Sequence, residues 1–197
     1  MKPFRSLFSL AVILAAGIGA VNAQQNQKKG PAGPPITMTI PAFKDGADTP
    51  AKYSCSNAPS GVSPAIQWEN PPAAAVSFAI LFHEPGAHPQ RGIYDITHWL
   101  IWNLPASTRE LPEGVPATAE LANGARQAKG PRGDFGYFGP CPGSGGPRGG
   151  PAFHYTYELY ALDTMLDLPA DSSRADVMKA MDGHILATAV YFTLFPR

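Results

Sequence analysis

Apolar residues along this chain fall into short runs that either alternate with polar ones or continue unbroken, and Pro, Gly or Asn bounds most of them. Six such runs predict strands: ITMTIP (36–41), AIQWE (65–69), VSFAILFH (76–83), HWLIWNLP (98–105, with Thr97 before it), FHYTYELYAL (153–162) and ATAVYFTLF (187–195). In HWLIWNLP, Trp99, Ile101 and Asn103 alternate with His98, Leu100, Trp102 and Leu104, so both faces are largely apolar. That pattern suits a strand covered on both sides. One helix is signalled. Ser173 is placed to cap it, Asp176 follows three residues on, Val177, Met178 and Met181 form an apolar stripe, and Gly183 ends it. A mostly antiparallel β domain with few helices is the expectation. The stretch 122–152, rich in Gly and Pro, is too long for an ordinary connection, and such loops often carry function.

Composition sharpens this picture at the N-terminus. Lys2 and Arg5 precede the apolar run LFSLAVILAAGIGAV, and VNA at 21–23 offers a small-residue cleavage site before Gln24. This is the layout of a secretory signal peptide over residues 1–23. No cysteine follows the apolar run, which argues against a lipoprotein anchor. Residues 24–36, QQNQKKGPAGPPI, read as a flexible leader, and 37–197 as one domain. The chain is predicted to be periplasmic or secreted, with no integral membrane segment once the signal is cut. Its 20 Gly and 22 Pro favour many turns. The formal net charge is zero at pH 7 and no basic cluster exceeds Lys28-Lys29, so nucleic-acid binding is not expected. Cys55 and Cys141 are the two cysteines of the chain, and export would place them where a disulfide persists. Either they pair with each other or they remain two separate thiols.

Familiar catalytic motifs fail on inspection. HEPGAH (83–88) spaces its histidines by five, and Pro85-Gly86 forbids the helix a zinc-protease motif needs. Convergence of His83, His88, His98 and His154 on a metal has little support, so neither a metal nor another cofactor is expected. Ser144 in CPGSGG lacks the glycine two residues upstream that a nucleophile elbow requires. GPRGDFG (130–136) lacks the Gly-Lys-Ser/Thr of a phosphate-binding loop. Cys141, flanked by Pro140 and Pro142, is a poor nucleophile if it is bridged.

What remains are polar groups planted at the ends of apolar strands: FHEPGA (82–87), THWLIWNLP (97–105), GYFGPCPGSGG (136–146) and FHYTYELYALD (153–163). These stretches resemble the phosphatidylethanolamine-binding protein family, in its bacterial Raf-kinase-inhibitor-like branch. FKDGADTPAKYSCSN (43–57), GVSPAIQW (61–68), LYALD (159–163) and AMDGHILA (180–187) extend the resemblance in the same order over most of the chain. It implies two packed antiparallel sheets with a few short helices and a small anion-binding pocket at one end. Carried over residue by residue, it implies a pocket formed by Glu84, His98, the backbone of Gly139, Pro140 and Cys141, and Tyr155. The implied ligand is a small anion such as phosphate, or a phospholipid headgroup. Imidazole N–H, phenol O–H and loop amides are the donors such a ligand needs. On pattern alone, His98 could equally satisfy a neighbouring carbonyl and Tyr155 could be a core residue.

Two departures stand out against the family pattern. The turn reads Glu84-Pro85-Gly86-Ala87-His88 where the family has Asp-Pro-Asp-Ala-Pro. Phe153 and His154 occupy the positions of the family's histidine and arginine. Alternation puts Phe153 on the pocket face with Tyr155 and turns His154 away. The resulting reading is an exported, non-enzymatic binding protein with a less polar pocket than its relatives. An exported chain meets no cytoplasmic kinase, so kinase inhibition is not carried over. The alternative is an interaction protein that inhibits a protease or host factor through its surface. A hydrolase using Glu84 and His98 as acid and base is a third reading, without an identifiable nucleophile.

Overall fold

The computed structural model describes residues 33–56, 61–88, 91–93, 95–141 and 152–195. The expected signal peptide, most of the leader and Ser144 lie outside the described residues. Eight strands form: β1 (Thr37–Thr39), β2 (Ile66–Glu69), β3 (Ser77–Glu84), β4 (Ile96–Pro105), β5 (Glu110–Leu111), β6 (Arg126–Gln127), β7 (Phe153–Leu162) and β8 (Ile185–Phe195). One helix, α1, runs over Arg174–Met181, and a 3₁₀ turn covers Ala51–Tyr53. The strands make two antiparallel sheets, ordered β1-β2-β5 and β6-β4-β3-β7-β8.

The apolar blocks go to the centre of the larger sheet because they can be covered twice. Every residue of β3 is buried, and β4 is buried from His98 to Leu104. One face, carrying Phe78, Ile80, Phe82, Trp99, Ile101, Tyr157 and Leu159, packs with Met38, Ile66 and Trp68 of the smaller sheet. Trp68 and Phe78 meet edge-on at 5.4 Å between ring centroids. The other face, with Ala79, Leu81, Leu100 and Trp102, lies under Val177 and Met181 of α1. Each fully buried large side chain of this kind contributes roughly 1.5–3 kcal/mol. The helix starts at Ser173, whose side chain accepts from Asp176 N while Asp176 accepts from Ser173 N, a closed capping box.

Three features depart from the simple pattern. The two-residue strands β5 and β6 carry no periodic signal that could announce them. The stretch 122–152 is stapled at its start by Gln127, which accepts from Trp99 Nε1 at 2.7 Å and donates to Pro116 O and Thr118 O at 2.8 Å each. Most consequentially, β4 does not alternate cleanly. Its register against β3 slips twice, so that Ile80 pairs with Ile101 but Phe78 with Leu104, and Phe82 pairs with Trp99 but His83 with Thr97. The first bulge puts Asn103 at φ 60°, with its amide exchanging hydrogen bonds with Leu166, and it turns Leu104 to the face of Ile101. At the second bulge the extra residue is His98. Finally, Cys55 and Cys141 are joined as a disulfide, with Cα atoms 5.2 Å apart. Of the two cysteine readings, the separate thiols are the one not realised.

Candidate ligand-binding site

Glu84 ends β3 on the face of Phe82 and is 2% exposed. The chain turns directly after it, with Ala87 N donating to Glu84 O and Ile96 N returning to Ala87 O. The bulge in β4 then aims His98 at that same face. Strict alternation from Trp99 would have turned the imidazole toward the side of Leu100. Instead its ring meets Phe82 at 5.5 Å and Tyr155 at 5.0 Å, the latter nearly perpendicular. Phe138, from the loop after β6, stacks on it at 5.5 Å. Glu84, His98 and Tyr155, expected from separate stretches of sequence, are therefore brought together at one end of the larger sheet.

His98 is held at both of its polar ends. Phe138 N donates to His98 O at 2.9 Å, and the ring returns a bond, Nδ1 lying 2.8 Å from Phe138 O. A carbonyl only accepts, so Nδ1 carries the proton. The reading that His98 satisfies a neighbouring carbonyl is thus realised, on one nitrogen. The other nitrogen, Nε2, is buried with no hydrogen-bond partner among the described residues, and the nearest carboxylate oxygen, Glu84 Oε2, is 3.9 Å away. A buried polar atom left unmatched costs about 1–3 kcal/mol, which a ligand group can recover.

The loop Gly139-Pro140-Cys141 packs against the chain from Tyr53 to Cys55. Pro140 has no N–H to offer, and its carbonyl accepts from Cys55 N at 3.0 Å. Gly139 is pressed so closely on the chain at Tyr53 and Ser54 that an added Cβ would lie 2.9 Å from Ser54 Cα. Tyr137 OH donates to Tyr53 O at 2.7 Å, and burial pushes its own pKa well above the usual tyrosine value. The loop is a buttress behind His98.

A cleft of about 390 Å³ opens beside these groups, lined by Glu84, Pro85, Gly86, Ala152, Phe153 and His154. Glu84 connects the cleft to His98, while His98 and Tyr155 stand behind its lining. Phe153 is half-buried against the core, on the face of Tyr155. His154 is exposed and its ring turns to Phe192, yet it contributes to the rim. A larger, more open groove of about 480 Å³ lies on the smaller sheet between Gln67 and Glu110. It contains none of the candidate residues and no buried titratable side chain, so the smaller cleft is the candidate site.

The remaining histidines go elsewhere. His83 lies on the opposite face of β3, with Nδ1 2.7 Å from Asp95 and Nε2 3.4 Å from Glu158, and Arg174 of α1 pairs with the same Asp95. His88 is exposed and bonded to Gly92 O. Among the described residues, no group of three or more His, Cys, Asp or Glu is arranged to hold a metal ion. The sequence reading missed Phe138, whose two hydrogen bonds to His98 are made by its main chain and carry no residue-type signal.

Residues 39–195 match the sequence model of the family described as phosphatidylethanolamine-binding protein. The chain belongs to this family. It is 38% identical over 162 residues to a UPF0098 protein of Methanothermobacter thermautotrophicus, covering 82% of this chain and 99% of that one. A phosphatidylethanolamine-binding protein homologue from Chlamydia trachomatis superposes with a TM-score of 0.70 at 29% identity, covering 83% of this chain and 98% of the other. A Mycobacterium tuberculosis relative, 32% identical over 77% of this chain and 67% of its own, bears a lipoprotein name, LppC. For this phosphatidylethanolamine-binding protein family member, the matched span 39–195 contains every candidate site residue. No helix among the described residues is long and apolar enough to cross a membrane.

Proposed function

We propose that this chain is an exported, non-enzymatic binding protein that takes a small phosphate-bearing ligand of the phospholipid-headgroup type in the cleft beside Glu84. The observation that carries this reading is the buried, unmatched Nε2 of His98 at 3.9 Å from Glu84. With Nδ1–H committed to Phe138, Nε2 accepts when the ring is neutral and donates when it is protonated. A phosphate oxygen favours the protonated form and forms a charge-assisted bond with it. The Glu84 carboxylate would repel a bare phosphate, but it accepts from an ammonium or hydroxyl on the same ligand. A zwitterion such as phosphoethanolamine therefore suits the pair better than inorganic phosphate. Phe153 supplies an apolar wall where the family resemblance implies a histidine. Export is supported by the signal-like residues 1–23 and by the lipoprotein name of the mycobacterial relative.

Calorimetric titration with phosphoethanolamine and with inorganic phosphate tests this. Phosphoethanolamine should bind more tightly, and His98→Ala should weaken it about ten- to hundredfold, the loss of one charge-assisted hydrogen bond. Equal affinity of wild type and His98→Ala would remove His98 from the site.

A further inference from the structure

We propose that the Cys55–Cys141 disulfide is a positioning element for His98, so that ligand binding by this chain depends on its oxidation. This rests on the ligand reading above for its consequence and on geometry for its cause. The disulfide fastens Cys141 to Cys55, and Cys55 N is bonded to Pro140 O at 3.0 Å. Next to these two ties, Gly139 lies against the main chain of Tyr53 and Ser54 with no room for a side chain. One residue earlier, Phe138 O holds the Nδ1 proton of His98 at 2.8 Å, and Phe138 N holds His98 O at 2.9 Å. A short, unbroken path of main-chain contacts thus runs from the disulfide to the imidazole. It selects the Nδ1–H tautomer and leaves Nε2 for the ligand. Both cysteines are only half-buried, within reach of a dithiol. Cleaving the bond takes two electrons and two protons. A dithiol supplies both, leaving two thiols here and becoming a disulfide itself. Opened, the loop 137–141 loses its covalent anchor, and Phe138 O no longer has a fixed place opposite the ring.

The ring ¹⁵N signals of His98, read by NMR without ligand, give the tautomer directly. They should report one dominant Nδ1–H form in the oxidised protein and a mixture after reduction with dithiothreitol or in Cys141→Ser. Gly139→Ala displaces the same main chain with the disulfide intact and should produce the same mixture. It guards against the cysteine variant failing to fold. Phosphoethanolamine affinity should fall at least tenfold in the reduced protein. Ring signals unchanged by reduction would overturn the assignment, whatever Gly139→Ala does. Because they are read without ligand, a failure of the oxidised protein to bind phosphoethanolamine strikes the ligand reading alone.

Discussion

His98 Nε2 and Glu84 Oε2 face each other across 3.9 Å in a region where both side chains are almost wholly buried. The distance is too long for a hydrogen bond and short enough for one small ligand to reach both groups. Neither strand alone would produce this. Glu84 is the last residue of β3, and His98 reaches the same face because β4 carries one extra residue at that point.

The Gly139 contact sets a stability test. Replacing Gly139 with Ala drives a methyl into the main chain at Ser54, and inserting a group into a closed contact costs typically 1–3 kcal/mol. Urea unfolding of Gly139→Ala should show that loss at an unchanged m value. An unaltered midpoint would mean that the loop does not sit against Tyr53 and Ser54.

His83 predicts a pH dependence that is separate from the ligand site. Burial opposes charge on this ring, but hydrogen bonds to Glu158 and Asp95 outweigh it, and its pKa lies above the ordinary histidine value. A group whose pKa is raised on folding stabilises the protein fully below its unfolded pKa, near 6.5, and loses that contribution as pH rises through the folded value. Wild type should therefore exceed His83→Gln in stability most clearly near pH 5.5, with the gap narrowing toward alkaline pH. A gap that widens as pH rises would contradict the protonated bridge.

The strand register around Tyr155 can be tested by polarity. Phe153 shares the face of Glu84 and lines the cleft, whereas His154 leans on Phe192. Phe153→His should add a donor on the ligand side and tighten phosphate binding, more so below pH 6.5 where imidazole gains charge. His154→Ala should change affinity much less. The reverse ranking in calorimetry would place His154, and not Phe153, against the ligand.

Much of the fold was legible because the chain repeats its signals at two levels. HWLIWNLP is apolar on both faces, and it lies in a doubly covered strand; Ser173 and Asp176 form the capping box their spacing announces. With two cysteines in the chain, a bridge admitted one pairing. The site was harder to read. The bulge that re-aims His98 is an offset between β3 and β4, and pairing offsets are not written in either strand's own periodicity. Phe138 acts through its main chain. Gly139 packs on Tyr53 and Ser54, and Pro140 O accepts from Cys55 N, contacts between distant segments that neither residue type announces.

Export predicts a mature chain beginning at or near Gln24. N-terminal sequencing of the protein from the soluble periplasmic fraction or medium should find that start. Recovery of intact Met1 there would contradict it.

A crystal structure of the oxidised protein soaked in phosphoethanolamine tests the central claim most directly. It should show a phosphate oxygen within hydrogen-bond distance of His98 Nε2 and the ammonium or a bridging water at Glu84, inside the cleft bounded by Pro85, Gly86 and Phe153. Ligand ordered elsewhere, such as the groove beside Arg109, with Nε2 still unmatched, would contradict it.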